Sequence, residues 1–352
     1  MRRHTSQIPT PPVAETGRVP VPFSRRTFLG AAAVTGAALF MPQQEARAVS
    51  SAFLPYTAGS FYKSKATGLL VDQQRSSAFR VFMKANDPRD YPVIRGLPAT
   101  GSGWGTPYAD GRSTDPVWKL QIANRQPENE ILETTGFHAP AWFGDQLTGT
   151  SDSPFCVMDL ASGFTVFGTG ANVFGPNLIS CATGGITWHS SNGLDNRNPL
   201  SSDTRNWTSR GRISDSMVIR RGRVDAAIAA GTGLGHVLHL FLWETNTGDG
   251  FCHPMVGCES GKTGFGAEGE RVVIKPTVNL TTRGLSPFGL AIARTLKTHG
   301  AYIGDNAGAG GTSLKAEQDG PGNHPWAGLS VSKDALAGLT WDDFNVVQRG
   351  AQ

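Results

Sequence analysis

Asp305 and Asn306 stand where the strand-like run Ala301-Tyr302-Ile303-Gly304 gives way to Ala307-Gly308. A rigid strand can aim a carboxylate placed there into a loop-lined cleft, as acid–base and nucleophilic chemistry require. The same Asp-Asn pair is equally a turn signal. Glycoside hydrolysis needs a second carboxyl opposite the first, and a lyase needs a His or Tyr base. The candidate partners of Asp305 are His236, at the head of an apolar run, and Asp159, at the end of another. Asn306, Trp188, His189, Trp243 and Tyr302 are candidate substrate-binding residues, because rings stack on sugar faces while amides and imidazoles bind hydroxyls. Glu317, Asp319, His324 and Trp326 repeat the theme, as does Trp207 near Asp203 and Arg205.

Two glycine-rich strings suggest nucleotide chemistry and fail on context. Gly231-Thr232-Gly233-Leu234-Gly235 follows a short helical pattern and precedes a strand, the reverse of the dinucleotide-binding order. Gly257-Cys258-Glu259-Ser260-Gly261-Lys262-Thr263 is one residue short of a phosphate-binding loop and reads as a plain loop. Neither a G-x-S-x-G elbow nor an H-E-x-x-H pair occurs, and no cofactor is implied.

The elements that must position these residues are mostly strands. Phe155–Leu160 and Phe164–Phe167 form a hairpin pattern with Gly163 in the left-handed position of its loop. His236–Glu244 is apolar on both faces and predicts a strand interior to its sheet. Alternation puts His236 and Glu244 on one face but about 26 Å apart, at about 3.3 Å per residue. Val237, His239, Phe241 and Trp243 take the other face. Arg271–Lys275 and Ala301–Gly304 are shorter strands. One helix is well marked: Ser286 as N-cap, Pro287 at N1, Phe288, Ile292 and Leu296 at four-residue spacing, and Gly300 as the stop. Arg223–Ala230 and Lys333–Leu339 are expected to be short helices. Many strands, few helices and 44 Gly predict a mainly β fold. The best fit is a β-sandwich of jelly-roll type, with a barrel-like two-sheet fold as the alternative.

Ser24-Arg25-Arg26-Thr27-Phe28-Leu29 resembles a twin-arginine export signal, with Gly30 in the last place of the pattern where Lys is frequent. The apolar part, Phe28 to Met41, is too short for a membrane span and suits a signal peptide. Ala46-Arg47-Ala48 supplies the small side chains a signal peptidase requires, so cleavage is expected after Ala48. The resemblance implies export through the twin-arginine translocase to an extracellular location, with no membrane anchor in the mature form. Residues 1–48 then form a cleaved signal peptide, and 49–352 one β-rich domain whose first part, about 49–125, is turn-rich. Removing 1–48 takes away six Arg and two Glu and leaves 26 basic against 26 acidic side chains. A neutral body has no basic stripe for nucleic acid. All four cysteines lie in it, and an even number in an exported chain favours two disulfides, Cys156–Cys181 and Cys252–Cys258. Zinc at Cys252, His253 and Cys258 is the weaker alternative, since five intervening residues miss finger spacing.

The body itself resembles uncharacterised secreted β-rich actinobacterial proteins. The residues that carry the likeness are Gly235-His236 opening an apolar strand, the helix ending in Gly300-Ala301-Tyr302, and Asp305-Asn306 after it. The likeness covers about a third of the mature chain. It implies an extracellular β-rich protein associated with polysaccharide and no particular reaction. With the candidate residues above, the expected function is a secreted enzyme acting on polysaccharide or cell-wall glycan, a glycoside hydrolase or lyase, or alternatively a non-catalytic glycan- or cell-wall-binding protein.

Overall fold

The computed structural model describes residues 50–98, 104–123, 130–147, 152–194 and 216–350. The signal segment 1–48 and the group Asp203, Arg205 and Trp207 lie outside the described residues. Strands β1 (Val71–Asp72), β2 (Val93–Arg95), β3 (Tyr108–Gly111), β4 (Val117–Ile122) and β5 (Phe137–His138) come first. They are followed by β6 (Phe155–Asp159), β7 (Phe164–Thr169), β8 (Asn172–Gly175), β9 (Leu178–Cys181) and β10 (Thr183–Trp188). The last are β11 (Leu238–Leu242), β12 (Arg271–Ile274), β13 (Ala301–Asn306), β14 (Ser313–Lys315) and β15 (Phe344–Val347). Among the described residues four α-helices accompany them: α1 (Gln73–Asn86), α2 (Glu130–Thr134), α3 (Arg221–Ala230) and α4 (Pro287–Thr298).

The fold is mainly β, in three sheets. The largest has the order β1-β15-β12-β13-β11-β14-β2, with β11 parallel to β13 and β14 parallel to β2. Its core face carries Leu238, Leu240, Leu242, Val272, Ile274, Ala301 and Ile303. These pack with Phe79 and Met83 of α1 and with Phe288, Ile292 and Leu296 of α4. The amphipathic stripe of α4 thus finds a sheet face to bury against, which is what holds so short a helix in place. Its ends follow the sequence pattern: Ser286 Oγ accepts the Gly289 amide at 3.1 Å, and Gly300 takes φ 71°.

The other two sheets, β10-β7-β6-β3 and β5-β4-β9-β8, share a second core. Phe155, Val157, Phe164 and Val166 of one meet Trp118, Leu120, Ile122 and Ile179 of the other in one hydrophobic cluster. The opposite face of β6 and β7, with Cys156, Met158 and Phe167, turns toward Val218, Met217, Tyr62 and Tyr302. Among the described residues no sheet closes into a barrel, and the strand orders do not spell out a jelly roll. The difference arises at the parallel pair β11/β13: joining parallel neighbours takes a crossover, and α4 lies on it. Residues 333–339 are turns rather than a helix, and the 49–125 region contains the longest helix, α1.

Neither expected disulfide forms; no two cysteines are at disulfide distance. For Cys156–Cys181 the reason is pleat parity. Cys156 shares its side of β6 with Met158, whereas Cys181 faces the second core with Phe155 and Val157, so a sheet lies between them. For Cys252–Cys258, Cys252 is pinned by its amide to the Glu268 carbonyl at 2.8 Å, with its sulfur against Gly269. Cys258 is carried on by Glu259, whose amide donates to the Glu268 carboxylate at 2.9 Å. Burial pushes the Cys181 thiol up to about 12 and the Cys252 thiol up to about 11.

Candidate functional site

Beyond the carboxyl end of a parallel pair, diverging loops leave room for a ligand. Here β11 and β13 end side by side, with Phe241 opposite Asp305 and Leu242 opposite Asn306 after a bulge at Leu240. Asp305 is half-buried, and its Oδ1 accepts the amide of Asn306 at 2.7 Å. Asn306 is clamped by Thr245, whose amide donates to Asn306 Oδ1 at 2.6 Å. Asn306 Nδ2 donates to Glu259 Oε2. One asparagine therefore bridges a carboxylate of its own strand and one from a loop far along the chain.

Glu259 is held in turn from behind. Its amide donates to Glu268 Oε1 at 2.9 Å, and its carbonyl accepts Thr247 Oγ1 at 2.8 Å. Glu268 is fully buried and pairs through its backbone with Phe251, which is 51% exposed. The backbone bridge thus joins an exposed aromatic residue to the loop that holds Glu259. The Lys262 ammonium lies 3.8 Å from Glu259 Oε1 and supplies a cation at the rim. Gly304, just before Asp305, is required by packing, because a Cβ there would lie 1.9 Å from His239 Nε2.

The structure does not bring the sequence-derived candidates into one place. His236 is fully buried, stacked on Tyr62 at 4.8 Å, with Nδ1 2.9 Å from the Val237 carbonyl. Burial, with Arg220 nearby, holds its pKa well below the ordinary imidazole value. It precedes β11 and so lies at the opposite end of the strand from Asp305. Asp159 is fully buried at the tip of the β6–β7 hairpin, accepting the amides of Ala161, Ser162 and His138 at 3.0, 2.9 and 2.8 Å. His138 Nδ1 lies 3.1 Å from the same carboxylate.

Among the ring candidates, Trp188 packs on Phe164 at 5.3 Å against the second core. His189 sits under Phe53 with Nε2 3.1 Å from Thr165 Oγ1, and burial lowers its pKa to about 4. Tyr302 is buried beneath the Arg271 guanidinium at 5.2 Å. Trp243 is half-buried at the end of β11, its amide donating to Thr312 Oγ1 at 2.9 Å, on the Asp305 side. Asp305, Asn306 and Trp243 are thus grouped at one sheet end, while Asp159, Trp188, His189, His236 and Tyr302 lie elsewhere.

Sequence reasoning passed over Glu259, Thr245 and Phe251. The string containing Glu259 resembles a phosphate-binding loop, and its acid stood out only once it was folded against Asn306. Among the described residues no group of three His, Cys, Asp or Glu side chains is arranged to hold a metal. No known protein family, curated protein or solved structure matches the chain.

Proposed function

We propose that the chain is exported by the twin-arginine route and acts on polysaccharide as a glycoside hydrolase, with Asp305 and Glu259 as its carboxyl pair. The observation that supports this reading is the bridge through Asn306. The Asn306 backbone amide on Asp305 Oδ1 and its side-chain Nδ2 on Glu259 Oε2 keep the carboxyls within about 10 Å, which includes the separations of about 5 to 9.5 Å that glycoside hydrolysis uses. Phe251 provides a face for a sugar ring, and Trp243 borders the same end of the sheet. In such a mechanism one carboxyl protonates the leaving oxygen, and the other attacks the anomeric carbon or activates water. His236 is too deeply buried to act as a lyase base, which favours hydrolysis over elimination.

The test is incubation of the secreted protein with a panel of plant, fungal and bacterial cell-wall polysaccharides, followed by detection of released sugars. Asp305→Asn and Glu259→Gln should each lower release by about 10²–10⁴-fold without changing which polysaccharide is cut. Binding without release, unaffected by either substitution, would assign the chain to the non-catalytic glycan-binding class.

A further inference from the structure

The loop that carries Glu259 is moored to a ring of four charges, Arg75, Asp249, Arg349 and Glu270. Arg75, in α1, donates through Nη2 to Asp249 Oδ2 at 3.0 Å and to Glu270 Oε2 at 2.8 Å. Arg349, two residues beyond β15, donates through Nε to Glu270 Oε1 at 2.7 Å, and its Nη2 lies 3.8 Å from Asp249 Oδ1. Its Nη1 also donates to the Asp249 carbonyl at 3.4 Å. Two guanidiniums and two carboxylates thus alternate in a closed, neutral set. The Glu270 side chain is fully buried, and a buried carboxylate is tolerated only with such cations on its oxygens.

Both backbone contacts of Glu259 lead to this ring. The Glu259 amide donates to Glu268 Oε1 at 2.9 Å. Glu268 stands two residues before Glu270, whose Oε2 also accepts the Ala267 amide at 3.3 Å. The Glu259 carbonyl accepts Thr247 Oγ1 at 2.8 Å, and Thr247 stands two residues before Asp249. The two limbs are laced together between these points. Cys252 donates its amide to the Glu268 carbonyl at 2.8 Å, and Glu268 donates its own to the Gly250 carbonyl at 3.2 Å.

The two arginines differ in what else they touch. Arg75 lies over the ring of buried Phe265 at 4.7 Å, so its loss would also remove packing. The Arg349 side chain is 41% exposed, and its hydrogen bonds go to Glu270 and Asp249. Removing Arg349 therefore opens the ring, leaves the core intact and leaves Arg75 on Glu270.

We propose that Arg349 is a positioning residue for the Glu259 carboxyl, closing the ring that fixes the loop on which Glu259 meets Asn306. The proposal rests on the reading of Asp305 and Glu259 as a carboxyl pair. A misplacement of about 1 Å at a reacting group costs about 10²-fold in rate, so a loosened loop should show in turnover before it shows in binding.

The test compares the wild-type secreted protein with Arg349→Ala and Arg349→Lys, by amide hydrogen exchange and by the kinetics of sugar release. In Arg349→Ala the Glu259 amide should exchange about tenfold faster or more, while the amides of α4 keep their wild-type rates. Its kcat should fall about 10- to 100-fold with KM changed by less than about twofold. Arg349→Lys keeps a cation for Glu270 but loses the fork, and should fall between the two on both measures. If Arg349→Ala does not fold, Arg349→Gln, which keeps the aliphatic stem without the charge, carries the same expectations. Unchanged exchange at Glu259, a wild-type kcat, or faster exchange that spreads equally through α4 would overturn the positioning role. No release by the wild type would instead overturn the carboxyl pair, and the exchange rates would still decide whether Arg349 moors the loop.

Discussion

Asp159 and Asp305 look alike in the sequence, each an acid closing a strand, and they differ in what their oxygens do. Four contacts, three of them backbone amides, tie Asp159 to its hairpin and to His138. Asp159→Ala should therefore destabilise the fold by about 3 kcal/mol or more, read by urea unfolding, because buried donors lose their acceptor. Asp305→Asn should change stability by well under about 1 kcal/mol, because an amide oxygen can still accept the Asn306 amide. Glu317 adds a pH signature. Its pKa is raised above the ordinary carboxyl value, so the stability it contributes is full below about pH 4.5 and is lost as pH rises to about 7. Glu317→Gln should remove that slope, and an unchanged stability profile in this variant would contradict the assignment. The local turn bonds of Asp159 and Asp305 are the same in kind, and what separates the acids, His138 on Asp159 and Ser50 and Arg221 on Glu317, lies tens to hundreds of positions away and was not legible in the sequence.

The elements were legible where the pattern was local. The β6–β7 hairpin announces itself through alternation and Gly163, which takes φ 77°. Helix α4 announces itself through Ser286, Pro287 and its four-residue apolar spacing. Ser286→Ala should cost about 1 kcal/mol, measurable as a lowered denaturant midpoint with an unchanged slope. Helix α1 escaped notice because prolines crowd its region and its three buried side chains, Ser76, Phe79 and Met83, make a thin stripe. It is specified from afar, with Ser76 Oγ accepting the Val346 amide at 2.8 Å and Arg80 donating to the Phe344 carbonyl at 3.2 Å. The disulfides failed for a related reason. Cysteine number speaks to compartment, whereas pairing depends on which face of a strand each sulfur occupies.

At the scale of the whole molecule, the seven-stranded sheet and the β6–β7 hairpin meet at a cluster of buried tyrosines with imidazoles beside it. Burial lowers His236 well below its ordinary value and takes His189 and His299 each to about 4. Their stability contribution is full above about pH 6.5 and is lost as pH falls toward 4, opposite in sign to that of Glu317. Three imidazoles outweigh one carboxyl, so unfolding free energy should drop on acidification across this window. A flat or rising profile would contradict the burial described.

The central claim concerns the other end of the sheet, where β13 and the loop that carries Glu259 bring two carboxyls to one asparagine. The direct test is reducing-sugar release from the polysaccharide panel by the wild-type secreted protein and by the Asp305→Asn, Glu259→Gln double variant, each checked for an unchanged melting temperature. The account predicts release by the wild type and none by the equally stable double variant. Release that survives in the double variant, or no release from any polysaccharide by the wild type, would contradict it.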